Sequence, residues 1–323
     1  YTDGGCPVLL TEPQSTNLFT DSNDFSVWSQ LQNIELTPNS TTSPSGENDA
    51  FKALSTTGSS KITKTISLVS GTTYTFSLYC KNIDATSVRI LAFDGVNEFS
   101  SYVESEINTS TWSRVSLTFT ALNTTNSGQI QIVRDLPDGE SMYIYGAQLE
   151  ELSYATSLIP TYGAVRTRLQ DTVNGAGTSS DFNSTEGVLF AEIDFGQAHS
   201  SSRYIGLSDG TTNNRVIVGV SANVTGTLTT FVSSGASTQS NMSFPVNISE
   251  NHKVALKYKE NDFSLWIDGV KVVTNNSGLT PIGLNNLRFT QGDTNNNFFG
   301  KTSQVQVFNT ALSDAELQTL TTI

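Results

Sequence analysis

Cysteine, histidine and methionine each occur only twice in this chain, and that scarcity removes several chemistries at the outset. Cys6, Cys80, His199 and His252 show none of the close ligand spacing that a zinc site requires. No Gly-x-Ser-x-Gly elbow lies near either histidine, so a Ser-His-Asp nucleophile lacks its parts. Both histidines fall in polar loop or strand-start contexts and are expected at the surface. Charge is sparse as well: 15% of residues are charged, and 30 Asp and Glu stand against 17 Lys and Arg. The net of −13 carries no basic cluster, which removes the main source of affinity for a phosphate backbone and makes nucleic acid an unsuitable partner. Long apolar runs are missing too. None approaches the ~18 residues a membrane-spanning helix needs, so no membrane insertion is expected.

Uncharged Ser, Thr, Asn and Gly supply most of the polarity, and they favour turns and strand faces because their side chains compete for backbone hydrogen bonds. Period-two alternation recurs between the turn-rich tracts. In the first half it runs through Tyr74, Phe76, Leu78 and Cys80, then Val115, Leu117 and Phe119, then Ile130 and Ile132. In the second half it runs through Leu189, Ala191, Ile193 and Phe195, then Val216, Val218 and Val220, and then Val254, Leu256 and Tyr258 opposite Phe263, Leu265 and Ile267. These patterns predict half-buried antiparallel strands. At 323 residues the chain suits two cores. The expected fold is therefore all-β, two tandem antiparallel jelly-roll β-sandwiches with a short C-terminal helix. Ser313 and Glu316 form a capping-box pattern that predicts this helix over 313–320. Alternation stops between Leu158 and Asp181, which divides the chain into an N-terminal extension 1–12, a first sandwich 13–158, a linker 159–181 and a second sandwich 182–323. Because both methionines, Met142 and Met242, are internal, the chain opening at Tyr1 reads as a processed or partial product. Cys80 lies on an apolar strand face, and pairing with Cys6 is the minority reading.

The stretch TNLFTDSNDFSVW at 16–28, with SMYIYGAQLEE at 141–151, resembles the opening and closing strands of galactose-binding-like, carbohydrate-binding-module-like jelly rolls. That resemblance implies a structural Ca²⁺ held by an Asp of the last strand, but Tyr145 stands at the matching position, and a phenol is a poor substitute for a carboxylate. From Glu186 onward the chain resembles a concanavalin A-like or laminin-G-like sandwich, through NHKVALKYKENDFSLWIDGVKVV at 251–273 and FGKTSQVQVFNTALSDAELQTL at 299–320. The block SYATSLIPTYGAVRTRLQD, with YGAQLEE and GGCPVLLTEPQSTNL, resembles segments of bacteriophage tail-fibre and other virion-surface proteins that carry these two modules in this order. The resemblance implies a virion-surface or extracellular location, glycans on a cell surface and other subunits of the same particle or fibre as partners, and a homo-oligomer, with a trimer as the analogue. The alternatives are a purely structural extracellular fibre or capsid-decoration subunit, and a bacterial adhesin or polysaccharide-active enzyme carrying the same modules.

Catalysis has one sequence argument in its favour. Glu192-Ile-Asp194-Phe-Gly-Gln197 resembles the acidic strand of laminarinase-like glycosidases, which need two carboxyls about 5 to 5.5 Å apart. Gln197 occupies the acid/base position and cannot donate a proton at neutral pH, so the motif reads as the polar face of a strand and no enzyme activity is expected. The loops Asp21-Ser-Asn-Asp24 and Asp293-Thr-Asn-Asn-Asn read chiefly as Asx turns; no cofactor is required, and a structural Ca²⁺ is left open. For sugar binding, an aromatic platform flanked by planar polar groups is the pattern to seek. Trp266 is the aromatic candidate, either on the outer sheet surface or, preferentially, packed in a core. Arg203, Tyr204 and Arg215 are the polar candidates. Trp28 and Trp112 read as core residues.

Overall fold

In the computed structural model of the chain, all residues are described except 1–6, 58, 197–200 and 223–225. The chain divides into two compact units, Gln14–Leu169 and Gln170–Ile323, the latter including the described stretch 7–13. Each is an antiparallel β-sandwich of jelly-roll type, in agreement with the fold class expected from the alternation.

The first unit packs two five-stranded sheets. One runs, in spatial order, Ser113–Thr120, Thr73–Asn82, Ser141–Glu150, Ala50–Ser55 and Ile34–Thr41; the other runs Gln30–Gln32, Lys61–Leu68, Thr125–Arg134, Arg89–Phe93 and Glu98–Tyr102. Tyr74, Phe76, Leu78 and Cys80 all point into the core between them, where they meet Ile130, Ile132, Val115 and Phe119. Burial in this apolar setting pushes the Cys80 thiol well above its ordinary pKa, helped by the charge of Glu106. The pairing weighed for Cys80 falls with Cys6 outside the described residues. Trp28 is a core residue, its indole N–H donating to Asp21 O at 3.2 Å. Trp112 is not: it is only partly buried and ties down the surface by donating to Thr42 O at 3.0 Å.

Residues 159–169, expected in a linker, belong to this unit instead. A short strand at Arg166–Arg168 pairs with Ser15–Asn17, and behind that pair lies a fully buried polar clasp. Asn17 Oδ1 accepts from the amides of Phe19 (3.1 Å) and Leu149 (3.2 Å), and its Nδ2 donates to Ala147 O (3.2 Å) and Ile159 O (3.0 Å). One carboxamide thus fills all four of its hydrogen-bonding positions. Gln148 donates to Thr156 O and Ser157 O and accepts from Ile159 N at 2.6 Å, while the Glu150 carboxylate accepts from Ser15 Oγ at 2.6 Å, from Thr156 N at 3.0 Å and from the Thr156 hydroxyl. The segment after the last large strand is therefore fastened by side chains where no ladder exists to hold it.

A second polar hub orders two loops at one end of the same sandwich. The wholly buried Asp94 carboxylate accepts from the amides of Val96, Asn97, Leu122 and Asn123 and from Asn97 Nδ2. Burial works to raise its pKa, but the Asn97, Val96 and Leu122 donors outweigh that and hold it at about 2.

The second unit pairs a six-stranded sheet with a five-stranded one. The first is Leu9–Thr11, Gly300–Phe308, Glu186–Asp194, His252–Lys259, Phe263–Ile267 and Val270–Asn275; the second is Ser237–Pro245, Thr227–Ser234, Arg215–Val220, Arg203–Ser208 and Asn286–Arg288. Leu9–Thr11, expected in an extension, is thus an edge strand on Gly300–Thr302. Asp268 and Gly269 turn the last hairpin of the six-stranded sheet at φ +50 and +82, the pair of positive φ values a type I′ turn demands. The helix Asp314–Thr321 carries the full capping box, with Ser313 and Glu316 bonded reciprocally.

Two outcomes follow for stability. Asn17→Ala leaves buried amides and carbonyls without partners and is expected to cost about 3 kcal/mol in urea unfolding, well beyond an exposed Asn→Ala change. Since the folded Asp94 carboxyl titrates near 2 and an unfolded one near about 3.9, its ionised form favours the fold above the unfolded value, and that contribution drains away as pH falls from about 4 toward 2. Asp94→Asn is expected to flatten this acid limb in thermal melts and to lower Tm at neutral pH, because an amide NH₂ would face backbone donors.

Candidate functional site

The residues singled out for binding separate into distinct places. Trp266 does not face solvent. Its strand alternates as expected, with Phe263, Leu265 and Ile267 turned into the main core, but the outer face they leave to Trp266 is roofed by the C-terminal helix. There it packs with Val188, Phe190, Ala255 and Leu317 at 5% exposure, with Lys271 Nζ 5.3 Å from the ring centroid and its own N–H donated to Ser264 Oγ. Arg203 is likewise withdrawn from any ligand. It is 2% exposed and its Nη1 donates to Phe195 O (2.6 Å) and Phe299 O (2.8 Å), so its charge serves to bind two chain segments together.

Tyr204 and Arg215 do share a surface. Both lie on the outer face of the five-stranded sheet, where Phe231, absent from the sequence argument, sits between them: the Arg215 guanidinium is 5.9 Å from its ring centroid and Tyr204 packs edge-on at 6.1 Å. Tyr204 is 5% exposed, its hydroxyl hydrogen-bonded with Ser221 Oγ, and Arg215 donates to Gln291 O. Gly219 makes this packing feasible, since a Cβ there would overlap the Arg203 carbonyl.

Glu192 and Asp194 stand on the outer face of the strand Glu186–Asp194. Glu192 is flanked in register by Lys253 and Gln304 and accepts from Asn251 Nδ2 at 3.0 Å, so neither lateral neighbour is an acid. Asp194 Oδ1 accepts from Gly196 N at 2.7 Å. Gln197 and His199 lie outside the described residues. His252, expected at the surface, is 7% exposed: Nδ1 meets Asp268 Oδ2 at 2.6 Å and Nε2 meets Asn247 O at 2.8 Å, a setting in which strand-start position gave way to a buried hydrogen-bonded role.

The Asx-turn reading of the two Asp loops holds. Asp293 Oδ1 accepts from Asn295 N, and Asp24 Oδ1 accepts from Ser26 N and Oγ at the start of the short helical turn Phe25–Val27. The residues at the position where the resemblance places Ca²⁺ do not fit that ion. Tyr145 offers a phenol that accepts from Asn23 Nδ2 at 3.3 Å, and among the described residues no three Asp, Glu, His or Cys side chains converge as a metal cage.

Among the described residues, one feature with the geometry of a binding site is a cleft of about 680 Å³ in the first unit. Leu36 and the buried Phe51 give it apolar surface; Asp21, Asn23, Asp24 and Ser26 line one stretch of chain, Pro38, Asn39 and Asp49 another. Tyr162 completes the lining at 66% exposure, with the Arg166 guanidinium 5.2 Å from its ring centroid. Its position is fixed on both sides. Ser22 and Thr161 exchange two hydrogen bonds of 2.9 Å, Gly163 N donates to Asp21 Oδ1 at 3.1 Å, and Asp21 and Tyr162 form an antiparallel bridge. The Thr20 hydroxyl first, and then the Gly163 amide and Lys64, hold the Asp21 carboxyl below its ordinary pKa against the opposing effect of burial. An apolar floor, polar walls and an exposed ring match the alternating C–H faces and hydroxyl edges of a sugar.

No family model matches the chain, and no curated protein matches it. Among solved structures the chain is similar to the CBM40 module of Ruminococcus gnavus IT-sialidase (16% identity, TM-score 0.39, covering 47% of this chain and 97% of that one). It is also similar to domains LG4-5 of the mouse laminin alpha1 chain (10%, 0.31, covering 80% and 92%). A third likeness is to the N-terminal CBM22-1–CBM22-2 tandem of Paenibacillus barcinonensis Xyn10C (8%, 0.31, covering 96% and 100%). These likenesses are of general β-sandwich form and assign no residue of this chain a role.

Because Trp266 fills a small core of its own, Trp266→Ala is expected to cost about 3–5 kcal/mol in chemical denaturation.

Proposed function

We propose that this chain is a non-catalytic, glycan-binding surface protein whose site is the cleft of the first unit. The observation that carries the reading is Tyr162: a large ring left in solvent, braced by Arg166 and by the Ser22–Thr161 bonds, next to an apolar floor and carboxylate and amide walls. The backbone that carries the ring is held on both sides before a ligand arrives, which lowers the cost of ordering it when a pyranose stacks there. The non-catalytic part of the reading is supported by Glu192, whose neighbours in register are a lysine and an amide.

The wider setting we propose is a phage tail fibre or comparable virion appendage, supported by the resemblance of the segments at 4–18, 145–151 and 153–171 and by the order of the two sandwiches. One open cleft would hold a sugar weakly, so display on an oligomer, by analogy a trimer, would supply avidity. A second reading places ligand on the outer sheet face of the second unit, where the Arg215 guanidinium lies over the Phe231 ring and Tyr204 meets that ring edge-on. That reading retains Arg215 as a ligand contact and gives up Trp266, Arg203 and Tyr204, which are buried.

Glycan-array binding of the purified protein, repeated with Tyr162→Ala and Phe231→Ala, separates the two. Loss on the order of ten- to thirtyfold with Tyr162→Ala alone is expected. Loss with Phe231→Ala alone would move the site to the second unit, and no enrichment of any glycan with the native protein would remove receptor binding altogether.

A further inference from the structure

Asn174 is the one asparagine in the sequence followed directly by glycine. In the second unit this pair lies between two pinned residues. Before it, Val173 packs partly buried against the main core, and its carbonyl accepts from Phe289 N at 2.9 Å. After it, Ala176 and Leu287 form an antiparallel bridge, with Ala176 N donating at 3.2 Å and Leu287 N returning a bond of 2.7 Å. These bonds cap the outer edge of Asn286–Arg288, the strand that pairs on its other side with Arg203–Ser208 and ends the five-stranded sheet. Asn174 and Gly175 themselves are exposed, and among the described residues neither the Asn174 carboxamide nor the Gly175 amide has a hydrogen-bond partner. Space around them is open as well: Gly175 sits at φ +74, and a Cβ built there would meet nothing within 4 Å.

We propose that Asn174–Gly175 is a site of spontaneous covalent modification, deamidation through a cyclic succinimide, and that the modification uncaps this edge of the sheet. The Gly175 amide nitrogen, on losing its proton to base, attacks Asn174 Cγ. The new N–C bond closes the ring as the C–N bond of the carboxamide breaks, and the side-chain nitrogen leaves as ammonia. Water then opens the ring at either carbonyl: one opening gives aspartate, the other isoaspartate, in which the main chain runs through Cβ. Glycine has no Cβ to shield the attacking nitrogen, and no hydrogen bond has to break first. Asn183, followed by Ser184, is the contrasting case: its Oδ1 accepts from Thr185 N at 2.9 Å and its Nδ2 donates to Asn309 O at 2.8 Å, so its carboxamide is held. An isoaspartyl link puts one further carbon into the main chain between Val173 and Ala176. The two pins then cannot both keep their register, and Leu287 and Phe289 are left with unpaired backbone groups at a sheet edge, where a strand is open to pairing with another chain. The inference is independent of where glycan binds.

Ageing the full chain in mildly alkaline buffer at physiological temperature, followed by peptide mapping in a mass spectrometer, tests it. Conversion at Asn174 is expected to outrun that at Asn183 by at least about tenfold, and to slow in mildly acidic buffer, where less of the amide nitrogen is deprotonated. Labelling of the same peptide by an isoaspartyl methyltransferase identifies the isoaspartyl product. In hydrogen exchange, the Leu287 and Phe289 amides of the aged protein should exchange on the order of tenfold faster than those of the fresh protein. Asn174→Gln, whose longer side chain must close a larger and slower-forming ring, is expected to keep both amides protected through the same ageing, and Gly175→Ala to retard conversion through its added Cβ. Conversion at Asn174 no faster than at Asn183 would overturn the site. Isoaspartate at position 174 with Leu287 and Phe289 as protected as before would overturn the uncapping. Equal loss of their protection in aged Asn174→Gln would overturn it as well, by tracing the loss to ageing elsewhere in the chain.

Discussion

A single buried carboxamide governs the geometry of the first unit. Asn17 accepts from two amides and donates to two carbonyls drawn from three stretches of chain that no common ladder joins. Gln148 and Glu150, on the strand beside it, repeat the arrangement toward Thr156, Ser157 and Ile159. Together they convert the irregular segment that follows the last long strand into a fixed wall. Tyr162 stands three residues beyond Ile159, so the clasp and the Ser22–Thr161 exchange decide where its backbone is held. Fully satisfied polar networks of this kind specify one arrangement because any slip leaves several buried groups unpaired at once.

The two sandwiches spend their polar residues differently. In the first, buried polar side chains organise loops: the Asn17 clasp at one place, the Asp94 carboxylate with its ring of backbone donors at another. In the second, polar and aromatic side chains knit sheets to what covers them. Arg203 ties Phe195 to Phe299, and Trp266 fills the space between sheet and helix. His252 joins the Asp268 turn to the loop at Asn247. The large aromatic and the buried arginine of the second unit are thereby engaged in packing, and the large ring left in solvent beside a cleft is Tyr162.

Much of the framework was legible in residue order. Period-two alternation placed Tyr74 to Cys80, Leu189 to Phe195 and Val216 to Val220 on their core faces, because one-sided burial of a strand leaves no other pattern. Ser313 and Glu316 announced the helix. What alternation cannot reveal is which of many similar polar residues will be buried: Asn17 and Asp94 are ordinary members of an Asn-, Asp- and Ser-rich composition until distant segments close on them. The face opposite Phe263, Leu265 and Ile267 was equally ambiguous, since nothing local to Trp266 shows that a helix fifty residues later returns to cover it. Tyr162 went unnoticed for the converse reason. Loss of alternation after Leu158 suggested a linker, although Pro160 and Gly163 around an exposed-compatible Tyr were the available sign of a rigid loop.

The central claim is that a preorganised cleft in the first unit, and not the sheet face of the second, takes the ligand. Backbone NMR of the full chain during titration with the glycan best retained on the array addresses this directly. Saturable shifts are expected at Asn23, Asn39, Asp49, Tyr162 and Gly163, with Leu149 and Ile159 amides protected from exchange throughout. Shifts confined to Tyr204, Arg215 and Phe231, or an Ile159 amide that exchanges as freely as a loop, would contradict it.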